Sequence, residues 1–154
     1  MATQVPGFRL LVAGDGPDRP IAEAAARQHP WLTYLGRVEG VEERAKLLAA
    51  ADALLVPGLV GLVVLDGFAA GVPLVTAAYS YHSPEIEYLE PEVNGVAVRE
   101  AESVEAYAAA VVRVLRDRVL RERLRAGCLE SAGRYTVEAM VGRFATGVTR
   151  ALAA

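Results

Sequence analysis

Residues Pro57 to Pro73 read PGLVGLVVLDGFAAGVP and hold the residues best placed to do chemistry. An apolar run, Ala53 to Val56, meets Pro57-Gly58. A second, Gly61 to Ala70, stops at Gly71 with Pro73 just beyond. The parse is strand, glycine-containing loop, helix, glycine stop, next strand. A helix that starts directly after a strand presents free backbone N–H groups and a positive dipole end, which suits a phosphate. Asp66, the one carboxylate in this helix, stands about one turn from its start and could reach a ligand docked there. The plainer alternative is a buried crossover helix whose only acid faces solvent. Spacing leaves both open.

The remaining candidates are weaker. His82 and Glu85 could form an acid/base pair in a loop, since imidazole titrates near neutrality. A loop histidine is more often solvated or bonded to backbone. His29, before Pro30, reads as a surface residue at a helix end. Asp15 lies in Gly14-Asp15-Gly16-Pro17, a turn, and no third glycine completes a dinucleotide fingerprint. Glu87, Glu90 and Glu92 read as a solvated acidic face, and no convergent ligands suggest a metal. Arg113, Arg116, Arg118, Arg121, Arg123 and Arg125 form a basic run broken by Asp117 and Glu122, as on a solvent face. A peripheral membrane contact through it is conceivable but not indicated. Cys128, near Leu124 and Leu129, reads as a small buried hydrophobe.

These residues need a scaffold. The chain has 154 residues, 53% of them hydrophobic and only 6% aromatic. One domain with a core of Ala, Val and Leu fits strands covered on both faces. A net charge of −3, with no basic stripe, argues against nucleic acid. One cysteine excludes a disulfide framework, and nothing at the N-terminus resembles a signal peptide, so the expected compartment is the cytoplasm.

Strands are expected at Phe8–Ala13, Trp31–Leu35, Ala53–Val56, Pro73–Ala77 and Gly95–Val98. Helices are expected at Ile21–Gln28, Val41–Ala51 and Gly61–Ala70, with a helical turn or two at Pro84–Leu89. After Ser103, a plausible N-cap, come helices to about Arg116, over Val119–Glu130 and over Val137–Leu152. The alternation predicts an α/β fold: a Rossmann-like parallel sheet of about five strands with helices on both faces and a helical C-terminal tail. The last helix carries an apolar stripe, Val137, Met140, Val141, Phe144, Val148 and Leu152, which suggests self-association.

From Phe8 to Leu152 the chain resembles the C-terminal nucleotide-sugar-binding domain of a family 4 retaining glycosyltransferase of the GT-B fold. The landmarks, in order, are LLVAGDGP (Leu10 to Pro17), LTYLGRV (Leu32 to Val38), ADALLVP (Ala51 to Pro57), GLVVLDGFAAGVPLV (Gly61 to Val75), SPEI (Ser83 to Ile86) and NGVAV (Asn94 to Val98). The resemblance implies that the amides of Gly61, Leu62 and Val63 hold the donor's diphosphate. It implies that Asp66 matches the second glutamate of the Glu-x7-Glu motif, which bonds the ribose hydroxyls. Arg37 and Val38 match the segment flanking the nucleobase. The donor is a nucleotide-diphosphate sugar, with no other cofactor and no metal expected.

Two departures matter. Gly58 stands eight positions before Asp66, where the family's first glutamate contacts the donor sugar. Such domains also begin with a further strand and a Gly-Arg…Lys loop whose cations neutralise the diphosphate, and these are expected to be absent along with the N-terminal acceptor domain. Residues 1–154 are therefore expected to be one donor-binding domain, the fragment or split subunit of a two-domain enzyme, inactive alone. No residue is named as nucleophile or general base. The rival readings are a non-catalytic nucleotide-binding or assembly module, and an unrelated doubly wound domain. Because the strand before Phe8 would be the central one, either Phe8–Ala13 pairs directly with Ala53–Val56 and closes a single sheet, the arrangement favoured because it needs no partner, or another chain supplies a strand.

Overall fold

The structure, a computed structural model, describes residues 1–153. Strands β1 (Leu10–Ala13), β2 (Leu32–Gly36), β3 (Leu54–Val56), β4 (Leu74–Ala77) and β5 (Gly95–Val98) alternate with helices. The helices are α1 (Arg19–Gln28), α2 (Val41–Ala49), α3 (Val63–Ala70), α4 (Val104–Arg116), α5 (Arg118–Arg134) and α6 (Val137–Leu152). The polar segment after β4 holds a single 3₁₀ element, Pro84–Tyr88.

All strand pairs are parallel, and the α/β alternation is as expected. The single five-stranded sheet is not. β1 pairs only with β2, and β3, β4 and β5 form a separate sheet in that order. Direct pairing of β1 with β3 is thus corrected. The orders β2-β1 and β3-β4-β5 are those of the two halves of the doubly wound order 3-2-1-4-5-6, in which the equivalents of β1 and β3 are second neighbours. Each half instead keeps its own parallel pairing, β1 with β2 across α1 and β3 with β4 across α3. Burial shows why the open edge is tolerated. β1 alternates between half-buried and exposed, with Leu11 47% exposed, so its free N–H and C=O groups meet water and are not stranded in a core.

The core lies in the second half. β4 is buried along its whole length. Its period-two alternation sends Val75 to one face, with Leu55, Val96, Val98, Val111, Val114, Leu120 and Leu124. Leu74 goes to the other face, with Val60, Val64, Phe68, Leu89 and Cys128. Helix α4 therefore covers one face and α3 the other. α5 serves both: Leu120 and Leu124 on one side, Cys128 on the other. It comes so close to the chain before β5 that a Cβ at Gly127 would collide with the Val93 carbonyl. α1 and α2 bury no residue fully.

Local signals account for the boundaries. Ser103, Asp117 and Thr136 cap α4, α5 and α6 by accepting from the amides of Ala106, Leu120 and Ala139. Gly71, at φ 65°, closes α3 in the left-handed conformation that β-carbons disfavour. The stripe on α6 stays open: Val137, Met140, Phe144 and Leu152 are each at least 60% exposed. The tail does not dock on its own domain.

Candidate functional site

The loop between β3 and α3 opens at the C-terminal end of β3, the usual ligand edge of a parallel sheet. Helix α3 starts at Val63, with Leu62 as its cap residue and no side-chain cap. Its first turn is tight, closed by Val64 N–H to Gly61 O at 3.3 Å and Leu65 N–H to Leu62 O at 2.9 Å. The sequence-based helix start at Gly61 is two residues early. Among the described residues, the amides of Gly61, Leu62 and Val63 find no protein acceptor. Three successive free N–H groups at a helix start form an anion cradle.

Asp66 lies in the first turn of α3 and is half exposed. Its carboxylate does not simply face solvent. Oδ2 stands 3.8 Å from Nε of Arg44 on α2, with both side chains 47% exposed. Arg44 escaped sequence reading, because nothing in the local pattern ties α2 to α3. Arg37 and Val38 follow β2. Arg37 is exposed and its Nε holds Glu39 Oε1 at 2.9 Å, while Val38 is half-buried. Gly58 is exposed and has open space where a side chain would stand. The structure therefore groups Gly61, Leu62, Val63 and Asp66 on one helix start, with Arg44 beside them. Arg37 is engaged with its neighbour and not with Asp66.

His82 is not the free acid/base residue its loop position allows. Nδ1 lies 3.2 Å from the Val60 amide, and Nε2 lies 2.7 Å from the Ala77 carbonyl. Both ring nitrogens are committed to backbone. His29 stacks on Trp31 at the end of α1, as a surface residue. Asp15 sits 3.8 Å from Arg19, and Tyr34 Oη donates to Gly14 O, so that segment is a pinned turn.

The charges of the tail pair across the surface while most of these side chains stay about half exposed, as on a solvent face. Glu92 pairs with Arg113 and with Arg123, and Glu90 with Arg134. Arg121 reaches Asp52, and Arg125 reaches the Gly71 carbonyl. The acidic face and the basic run thus partly neutralise each other. Cys128 is fully buried, its thiol donates to Asn94 O at 3.1 Å, and burial pushes its pKa from 9.0 up to about 12. No helix among the described residues is long and apolar enough to cross a membrane.

The family model described as glycosyl transferases group 1 matches residues 1–117. The chain belongs to that family. Its fold is that of the C-terminal domain of GT-B glycosyltransferases. The phosphatidyl-myo-inositol mannosyltransferase of Mycobacterium leprae is 27% identical over 136 residues, 82% of this chain and 34% of that protein. The chain thus spans about a third of that relative. Among solved structures, the sucrose-phosphate synthase of Thermosynechococcus elongatus superimposes with a TM-score of 0.76 at 23% identity, over 94% of this chain and 39% of that one. The pneumococcal O-GlcNAc transferase GtfA, in complex with UDP and GlcNAc, gives a TM-score of 0.73 at 17% identity, over 94% of this chain and 29% of its own. Anabaena HepE in complex with UDP gives 0.70 at 18% identity, over 94% and 42%. At these identities the structures speak for the fold alone.

Proposed function

We propose that this group 1 glycosyltransferase chain binds the nucleotide-diphosphate sugar donor at the start of α3. The observation that carries the reading is the row of free amides at Gly61, Leu62 and Val63 with Asp66 one turn along. The amides take the diphosphate and Asp66 takes the ribose hydroxyls. Arg37 and Val38 border the base, and Gly58 leaves room beside the donor sugar. In such a site the helix start stabilises the negative charge that develops on the departing nucleoside diphosphate. The reading requires no metal. Support also comes from GtfA and HepE, whose structures hold UDP.

On this reading the acceptor is held by an N-terminal domain or subunit, and the 154-residue chain alone transfers no sugar. A single free thiol fits a reducing cytoplasm. The exposed stripe of α6 supports self-association of the isolated chain. The test is calorimetric titration with UDP, GDP and ADP, followed by assay for transfer. Saturable binding of one of them without turnover is expected. No binding of any nucleoside diphosphate, or turnover above background, refutes the corresponding part.

A second reading, a non-catalytic nucleotide-binding or assembly module, is favoured by one observation. Gly58 offers no side chain to a donor sugar at the position before α3 where the resemblance places an acid. Under that reading UDP and a UDP-sugar bind equally well.

A further inference from the structure

We propose that His82 is a positioning residue that fixes the direction of the free amides at the start of α3. The proposal rests on the donor-site reading above. Of the amides from Gly58 to Val63, only that of Val60 has a protein acceptor among the described residues, and the acceptor is His82 Nδ1 at 3.2 Å. The next three amides in the chain, those of Gly61, Leu62 and Val63, are free among the described residues. Val60 is pinned twice, because its side chain is also fully buried beneath α3. With both its amide and its side chain held, its backbone has little freedom, and the N–H groups that follow inherit their direction from it.

The clamp is built from the other end as well. His82 Nε2 meets the carbonyl of Ala77, the last residue of β4, at 2.7 Å. Val60 supplies a donor and Ala77 an acceptor, so the pair of partners selects one tautomer: neutral imidazole, protonated at Nε2. His82 therefore ties the β3–α3 loop to the end of the buried strand next to it. Its own loop is braced. Tyr79 donates from Oη to Ala101 O at 3.0 Å, and its ring lies 6.3 Å from the His82 ring. Tyr81 stacks on Tyr79 at 4.9 Å. Without His82 the segment before α3 would sample several amide directions, and every one but the productive one would weaken a diphosphate contact.

The experiment uses the full chain with UDP as probe. Long-range ¹⁵N–¹H spectra of the imidazole should show the Nε2–H tautomer, and the Val60 amide should exchange slowly. His82→Ala should lower the thermal midpoint by roughly a few degrees, because the Val60 amide and the Ala77 carbonyl lose their partner, and should lose about tenfold in UDP affinity as the unclamped amides spread over several directions. His82→Asn, whose Oδ1 can stand near the place of Nδ1, should recover most of that loss. A merely structural histidine would lower the thermal midpoint and leave affinity unchanged in both variants, which overturns the proposal. So does wild-type affinity in His82→Ala. An Nδ1–H tautomer or a fast-exchanging Val60 amide overturns the clamp whether or not nucleotide binds. Failure of the wild type to bind UDP, GDP or ADP refutes the donor reading itself.

Discussion

Replacing Asp66 with alanine should separate binding from folding. The carboxylate pairs with Arg44 at 3.8 Å, and both side chains are nearly half exposed. An exposed pair of this kind contributes about 0–1 kcal/mol to stability. Its loss therefore shifts the unfolding midpoint of a domain of this size by a few degrees at most. Binding should respond far more. A carboxylate that accepts from ribose hydroxyls makes charge-assisted hydrogen bonds, each worth roughly 1.5–3 kcal/mol, so affinity should fall by about 10- to 150-fold. Calorimetric titration of the wild type and of Asp66→Ala with UDP, alongside thermal unfolding, reads both quantities. Arg44→Ala supplies the control. It removes the same ion pair but leaves the carboxylate free, so it should match Asp66→Ala in stability and differ in affinity. If Asp66→Ala binds UDP within twofold of the wild type, Asp66 is a surface acid paired with Arg44 and has no part in the site. If Arg44→Ala loses as much affinity as Asp66→Ala, the guanidinium belongs to the site too.

The exposed stripe of α6 should drive association: the mass measured by sedimentation rises with concentration, and Phe144→Glu keeps the chain monomeric. A monomer at every concentration overturns this. Alkaline pH should destabilise the domain, because burial raises the pKa of Cys128 from 9.0 to about 12 and that of Tyr107 above its ordinary 10.0. Groups raised in the folded state stabilise it fully below their unfolded values and lose that contribution as pH climbs through the folded ones. Denaturant midpoints should thus fall from about pH 9 upward, and less steeply in Cys128→Ala. The amide of Leu11, on the edge of β1 away from β2, should exchange much faster than those of β4, which is paired on both sides. Equal protection would mean that something pairs with that edge.

What the sequence makes legible here is local. The N-cap at Ser103 and the short apolar strand from Gly95 to Val98 are set by residues within a few positions of each other, and the structure reproduces them. The stripe of α6 and its bounds, Val137–Leu152, are likewise as read. The helix over Val41–Ala51 ends two residues early, at Ala49, because Ala50 and Ala51 turn their amides to Lys46, Leu47 and Leu48 in a fraying last turn. The pairing of strands is a different kind of question. Whether β1 meets β3 depends on where the crossover through α2 sets β3 down, and no residue in either strand encodes that distance.

The site divides in the same way. The free amides follow from a helix that begins without a side-chain cap after Gly61, and glycine, apolar run and carboxylate are all contiguous. Asp66 was visible as an acid, but its partner Arg44 was not, since the two share no helix. His82 was visible as a titratable loop residue. Its role depends on Val60, which lies 22 positions earlier. In isolation each of these two residues has an ordinary explanation, a core valine and a loop histidine. Only β4, buried end to end, brings them together: it holds the Ala77 carbonyl that fixes the imidazole, and the imidazole in turn fixes the amide. On the proposed reading, the cradle at α3 draws its donors from local sequence and their aim from a tertiary contact. A change in the β4–Pro84 loop should for that reason alter nucleotide binding without touching any residue of the motif itself.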